Sequence, residues 1–161
     1  MQVIPYRRAD AAAYAERWAL SRNPKWYNFD TLGGDCTNFI SQCLYAGCGI
    51  MNETPETGWF YRSLSSRAPA WTGVQPIFLF LTGNRGVGPF AQVVGRSAAE
   101  VGDVIQLGNA GGSFYHSLLV LSPAPEIYVA AHTYDALWRP LDSYSFSRLR
   151  CLHILGARKP G

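Results

Sequence analysis

The pattern of apolar residues changes character near residue 97, and that change limits the folds open to the chain. Before it, apolar side chains recur at helical spacing; after it, they fall into short β-rich stretches bounded by turn residues. Helices followed by hairpin-linked strands describe an α+β chain. Residues 7–21 predict an amphipathic helix with Ala11, Tyr14, Ala15, Trp18 and Ala19 on one face, stopped by Asn23-Pro24. A second helix is predicted over 36–46. Asp35 is its expected N-cap, Phe39, Ile40, Cys43 and Leu44 its buried stripe, and Gly47 its left-handed terminator. Residues 48–76 read as an irregular surface segment, 75–81 as a short buried helix and 84–96 as a loop. Strands are predicted over 104–107, 114–122, 126–133 and 148–157, in an antiparallel meander whose second and third strands form a hairpin.

A length of 161 residues suits a single domain, 1–161, large enough to bury its own core. Hydrophobic residues make up 48% and charged residues 16%, which excludes a disordered chain. A net charge of +3 with no basic cluster beyond Arg7-Arg8 argues against a nucleic-acid partner. Apolar runs such as Ile77 to Leu81 fall far short of the ~20 residues of a membrane span, so no membrane insertion is expected. The first residues lack the apolar core of a signal peptide, so the chain as written is expected in the cytoplasm or as a domain of an exported protein. The four cysteines form neither a disulfide scaffold nor zinc knuckles, and no metal is expected. Nothing in the sequence sets an oligomeric state.

Three residues invite chemistry. Cys36 follows Gly33-Gly34-Asp35 at the start of a predicted helix, where the helix dipole lowers a thiol pKa and free amides can bind an oxyanion. The plainer alternative is a small buried hydrophobe. His116 stands near the start of a predicted strand and could serve as a base; the alternative is a core histidine bonded to backbone. His132 ends the next strand. A hairpin would bring it beside His116, where it could hold the imidazole in its working tautomer. Asp135 competes for that third position, and Asn109 is a weaker rival. Trp59, Tyr61 and Trp138, with Trp71, could line a substrate groove or simply fill the core.

The segment Gly33-Gly34-Asp35-Cys36-Thr37-Asn38-Phe39-Ile40-Ser41-Gln42-Cys43-Leu44-Tyr45-Ala46-Gly47 resembles the signature of the bacterial "putative amidase domain" family. The likeness extends through Tyr6 to Ala11, Trp18-Ala19-Leu20, Gly58-Trp59, Gly102 to Gln106, His116-Ser117, His132-Thr133 and Arg139-Pro140-Leu141. That family is similar to the papain-like superfamily, alongside NlpC-type and CHAP-type cell-wall endopeptidases. The resemblance implies a nucleophile helix packed on a small antiparallel sheet, with Cys36 as nucleophile, His116 as base and a polar third residue matching His132. In NlpC-type enzymes a tyrosine before the cysteine supports the oxyanion hole; here Tyr27 and Asn23 are the candidates. The implied activity is a cysteine amidase or peptidase needing no cofactor, acting on a peptide or peptidoglycan-like substrate. An acyltransferase using the same site, or a catalytically silent peptide- or glycan-binding module, stands as the alternative.

Overall fold

A computed structural model describes residues 1–161. It is an α+β architecture in which helices cover one face of a seven-stranded antiparallel sheet. The first half supplies β1 (Gln2–Ile4), α1 (Arg8–Trp18), α2 (Cys36–Cys48), the small hairpin β2 (Tyr61–Ser63) and β3 (Ser66–Arg67), α3 (Pro69–Thr72) and α4 (Val74–Gly83). The sheet is completed by β4 (Gly88–Val94), β5 (Val104–Gly108), β6 (Phe114–Val120), β7 (Tyr128–Ala131), β8 (Ala136–Pro140) and β9 (Arg148–Lys159). The main path runs β1-β9-β5-β6-β7-β8, with β4 also paired to β9. The expected meander is therefore interrupted. The last strand inserts beside β5, and its length of 12 residues lets it pair with β4 and β1 as well.

Alternation along the central strands divides the core in two. Val104, Leu119, Ala130, Leu152 and Ile154 point toward the helices. Ile105, Leu107, Leu118, Val120, Val129 and Ala131 point to the opposite face, which Leu141 and the chain around Tyr144 cover. This parity governs the site described below.

The helix α2 lies between the sheet and a layer of aromatic side chains, and nearly every residue in it is buried. Its polar residues are satisfied by that layer. Ser41 donates to the Trp71 carbonyl and accepts from Trp59 Nε1, Asn38 Oδ1 accepts from Trp71 Nε1, and Gln42 accepts from the Tyr14 hydroxyl. Trp59 and Trp71, 4.7 Å apart between ring centroids, are fully enclosed. Residues 48–76, expected to be an irregular surface segment, stay exposed over 53–57 and 62–65 but send Trp59, Phe60 and Trp71 into the core and form β2, β3 and α3. Indole nitrogens that find partners on a buried helix let both rings go inside.

Several expected boundaries move. The first helix ends at Trp18, short of residue 21. The second continues through Gly47 and terminates at Gly49, whose φ of 71° is the left-handed cap expected of Gly47. Residues 88–94, expected to be loop, form β4, because β9 offers them a full edge to pair with. Strands β1 and β8 were also absent from the sequence expectation. The Gly49 cap leads to a small prediction. An alanine Cβ there would meet only the Arg7 guanidinium at 3.7 Å, so Gly49→Ala should cost about 1–2 kcal/mol in urea unfolding, from backbone conformation alone.

Candidate functional site

Gly33 and Gly34 adopt φ of 86° and 96°, which turns the chain sharply into α2 and presents Cys36 on its first residue. The Cys36 side chain is 9% exposed, whereas Cys43, Cys48 and Cys151 are 2% exposed or less, and all four are free thiols. The Thr37 hydroxyl lies 3.8 Å from the Cys36 sulfur. Thr37 in turn meets the Ser117 hydroxyl at 3.2 Å, and Ser117 accepts from Gln106 Nε2. Gln106 also accepts from Arg150. Gln106 Nε2 thus bonds Ser117, Ser117 meets Thr37, and Thr37 meets the sulfur, a hydroxyl chain that ends at the thiol and in which either partner of the last two contacts can donate.

Burial nevertheless pushes the Cys36 thiol above its ordinary value. The Ser117 backbone amide and Thr37 act against that shift without cancelling it. The helix terminus was expected to lower this pKa; here desolvation outweighs it. His116 moves the other way. Burial, aided by the positive charge of Arg139, brings its imidazole down to about 4. Near neutral pH the resting pair is thus a thiol and a neutral imidazole, not an ion pair. No hydrogen bond joins the two groups in this structure; the sulfur's side-chain partner is Thr37.

His116 borders a cavity of about 260 Å³, together with Leu107, Tyr115, Thr133, Tyr134, Arg139, Tyr144 and Ser145. His132 does not share it. The β6–β7 register pairs Leu119 with Ala130, so continuing it sets His116 opposite Thr133 and Ser117 opposite His132. One residue of strand parity therefore puts the two histidines on opposite faces of the sheet. His132 lies on the helix side, stacked on Phe39 at 4.0 Å. Its Nε2 donates to the Trp18 carbonyl at 2.7 Å, and its Nδ1 meets the Asp35 carboxylate at 2.5 Å. Both nitrogens are committed, so the expectation that His132 orients His116 is corrected. Asp135 does not take that place either. It forms a two-pronged pair with Arg22, which also holds Asp30. Asn109 caps the β5–β6 turn by accepting from the Ser113 amide.

The residue that the sequence undervalues is Asp35. It occupies the N-cap position of α2 but bonds no backbone amide of that helix. Its carboxylate accepts from the Phe29 amide and Asn38 Nδ2 and meets His132. Its backbone amide donates to Thr133 Oγ1. The Asp immediately before the cysteine was the available signal, and capping preference hid it. Among the oxyanion candidates, Asn23 is engaged with Tyr14 and the Lys25 amide, while Tyr27 keeps a partly exposed ring in the loop before α2. The groove of Trp59, Tyr61 and Trp138 is not formed. Trp59 is sealed in the core, Tyr61 packs on Trp26 and Trp71, and Trp138 projects from β8 against Tyr128 and Glu16. No three His, Cys, Asp or Glu side chains gather in a way that could hold a metal ion, and no helix is long and apolar enough to cross a membrane.

With this geometry in place, comparison defines the family. Residues 5–154 match the family model described as "Putative amidase domain", and the chain belongs to that family, whose description points to amide hydrolysis. The chain is also 34% identical over 165 residues to "Uncharacterized protein YhbB" of Bacillus subtilis (strain 168), an alignment covering 96% of this chain and 52% of that protein. The chain therefore spans about half the length of this relative. No solved structure matches.

Proposed function

We propose that the protein is a cysteine amidase or peptidase of papain-like, NlpC- and CHAP-related fold, acting on a peptide amide, with cell-wall peptide the leading substrate class. The observation that carries this reading is a cysteine on the first turn of a helix, with hydroxyl and amide donors converging on its sulfur, one of them the backbone amide of Ser117, the residue that follows a histidine with no hydrogen-bond partner on its ring. A nucleophile helix lying on an antiparallel sheet also fits the papain-like architecture. His116 turns from its cavity toward Cys36 and takes the thiol proton as sulfur attacks the amide carbonyl. The resulting oxyanion is met by the Cys36 backbone amide at the helix start, with Tyr27 as the side-chain candidate. His116 returns the proton to the leaving amine, then removes one from water, which cleaves the thioester and releases a carboxylate and the free thiol. The Asp35–His132 pair serves as a positioning element that fixes the start of α2.

The test uses soluble cell-wall peptide fragments, with products read by mass spectrometry. Wild type should yield a new amine and a new carboxylate, Cys36→Ala none, and His116→Gln a rate lower by about 10²-fold or more. In the folded protein iodoacetamide should label Cys36 alone, with a rate still rising above pH 9. Turnover undiminished in Cys36→Ala would end this reading.

A further inference from the structure

We propose that the cavity beside His116 is a carboxylate subsite, in which Arg139 and the Tyr144 hydroxyl bind an anionic group that the substrate carries next to the amide to be cut. This rests on the reading of His116 as the base and adds a substrate class to it: amides flanked by a free carboxylate.

Arg139 lines the cavity with no carboxylate of the protein against it. Its Nε donates to Ser143 Oγ at 2.8 Å and one terminal nitrogen to the Ser143 carbonyl at 3.2 Å, both neutral acceptors. Those bonds anchor one edge of the guanidinium and leave Nη1 unpartnered. Asp142, three residues along, pairs instead with Arg96. Arg22 offers the contrast, with Asp30, Asp35 and Asp135 all within 4 Å of it. The Arg139 guanidinium also lies 3.7 Å over the Tyr144 ring, which fixes its plane. A held, planar, uncompensated guanidinium at a cavity wall is suited to two-pronged recognition of a carboxylate.

The second observation concerns the neighbouring phenol. The Tyr144 hydroxyl is buried, makes no hydrogen bond of ordinary geometry, and lies close enough to Arg139 for that guanidinium to act against the rise that burial gives its pKa. Such groups are rare in folded proteins, and a ligand oxygen is one way to satisfy them. Thr133 and Tyr134 form the far wall. Both adopt left-handed backbone, with φ of 60° and 59°, as the tight turn of the β7–β8 hairpin requires. Thr133 is held there by the Asp35 amide, which links this wall to the start of the Cys36 helix. At about 260 Å³ the cavity suits one residue-sized group of a larger substrate. A carboxylate seated there would offset the Arg139 charge at His116 and make the imidazole a stronger base only once substrate has bound.

The experiment follows the His116 ring by NMR while N-acetylglycine, a simple carboxylate, is added to the full chain. N-acetylglycinamide, its neutral counterpart, is the control. The carboxylate should shift the ring signals saturably and raise the His116 pKa above about 4, and the amide should do neither. Arg139→Gln should weaken binding about tenfold or more, and Tyr144→Phe by a smaller factor. Arg139→Lys, which keeps the charge and the fold's surroundings, should recover part of the loss. Equal binding of the amide, no saturable shift, or unchanged affinity in Arg139→Gln would overturn the proposal. Because no turnover is needed, an inert Cys36 would defeat the proposed reaction and leave this result to be judged separately.

Discussion

Replacing Asp35 by alanine should destabilise the protein by about 3–5 kcal/mol, the loss expected when a buried acceptor is removed and three interior donors are left unpaired. Asp35 and His132 are each 1% exposed and meet at 2.5 Å. Asp35→Ala would leave His132 Nδ1, the Phe29 amide and one Asn38 donor unpaired in the interior. Against a total stability of roughly 5–15 kcal/mol, that is a large share. Urea unfolding of Asp35→Ala, His132→Ala and the double variant measures it. The double variant should lose much less than the two single losses added together, because both remove the same contact. Additive losses, or an Asp35→Ala effect below about 1 kcal/mol, would mean that the pair does not hold the fold.

The position of Asp35 explains why such a group sits beside the candidate nucleophile. Through its carboxylate and amide it reaches the loop before α2, the end of β7 and the turn that follows. His132 carries the connection on to the last residue of α1 through the Trp18 carbonyl. The first turn of α2 is thereby fixed from several elements, which leaves the Cys36 sulfur little freedom. Preorganisation of this kind keeps a reacting atom in place without cost at the moment of reaction.

What could be read from the sequence divides along physical lines. The Cys36 helix and the strands around 104–108, 114–120 and 148–159 were legible because their apolar residues follow the period of their element. Strand β4 was not, since Gly88, Pro89 and Gln92 interrupt any alternation and only pairing with β9 makes it a strand. Trp59 and Trp71 stand among turn residues, and the sequence left groove and core equally open to them. Their burial depends on Ser41 and Asn38 from a helix far away in the sequence. The two histidines illustrate the sharpest limit. That β6 and β7 form a hairpin was legible, but the register was not, and a slip of one residue decides whether His116 and His132 face each other or opposite sides. Arg139 drew notice only as part of the family likeness, because its lack of an acidic partner is a property of the folded surface.

Lowering the pH from about 6.5 to about 4 should remove about 3 kcal/mol of stability through His116 alone. Over that window the unfolded chain, with an ordinary histidine, binds a proton. The folded protein does not, because burial and Arg139 keep the imidazole neutral. The unfolded state therefore gains as acid is added. The stability is complete above about 6.5, falls by about 2 kcal/mol by pH 5, and levels off below about 4, where the folded protein takes up the proton too. Other groups titrate in the same range, so the informative quantity is the difference between wild type and His116→Gln. That difference should change by about 3 kcal/mol across the window in urea unfolding at several pH values, the variant losing ground less steeply. A difference that stays constant with pH would place the His116 ring in water instead of in its cavity. It would also remove the basis for the neutral imidazole that the proposed reaction needs, since an exposed ring would titrate near its ordinary value and stand charged through most of this range.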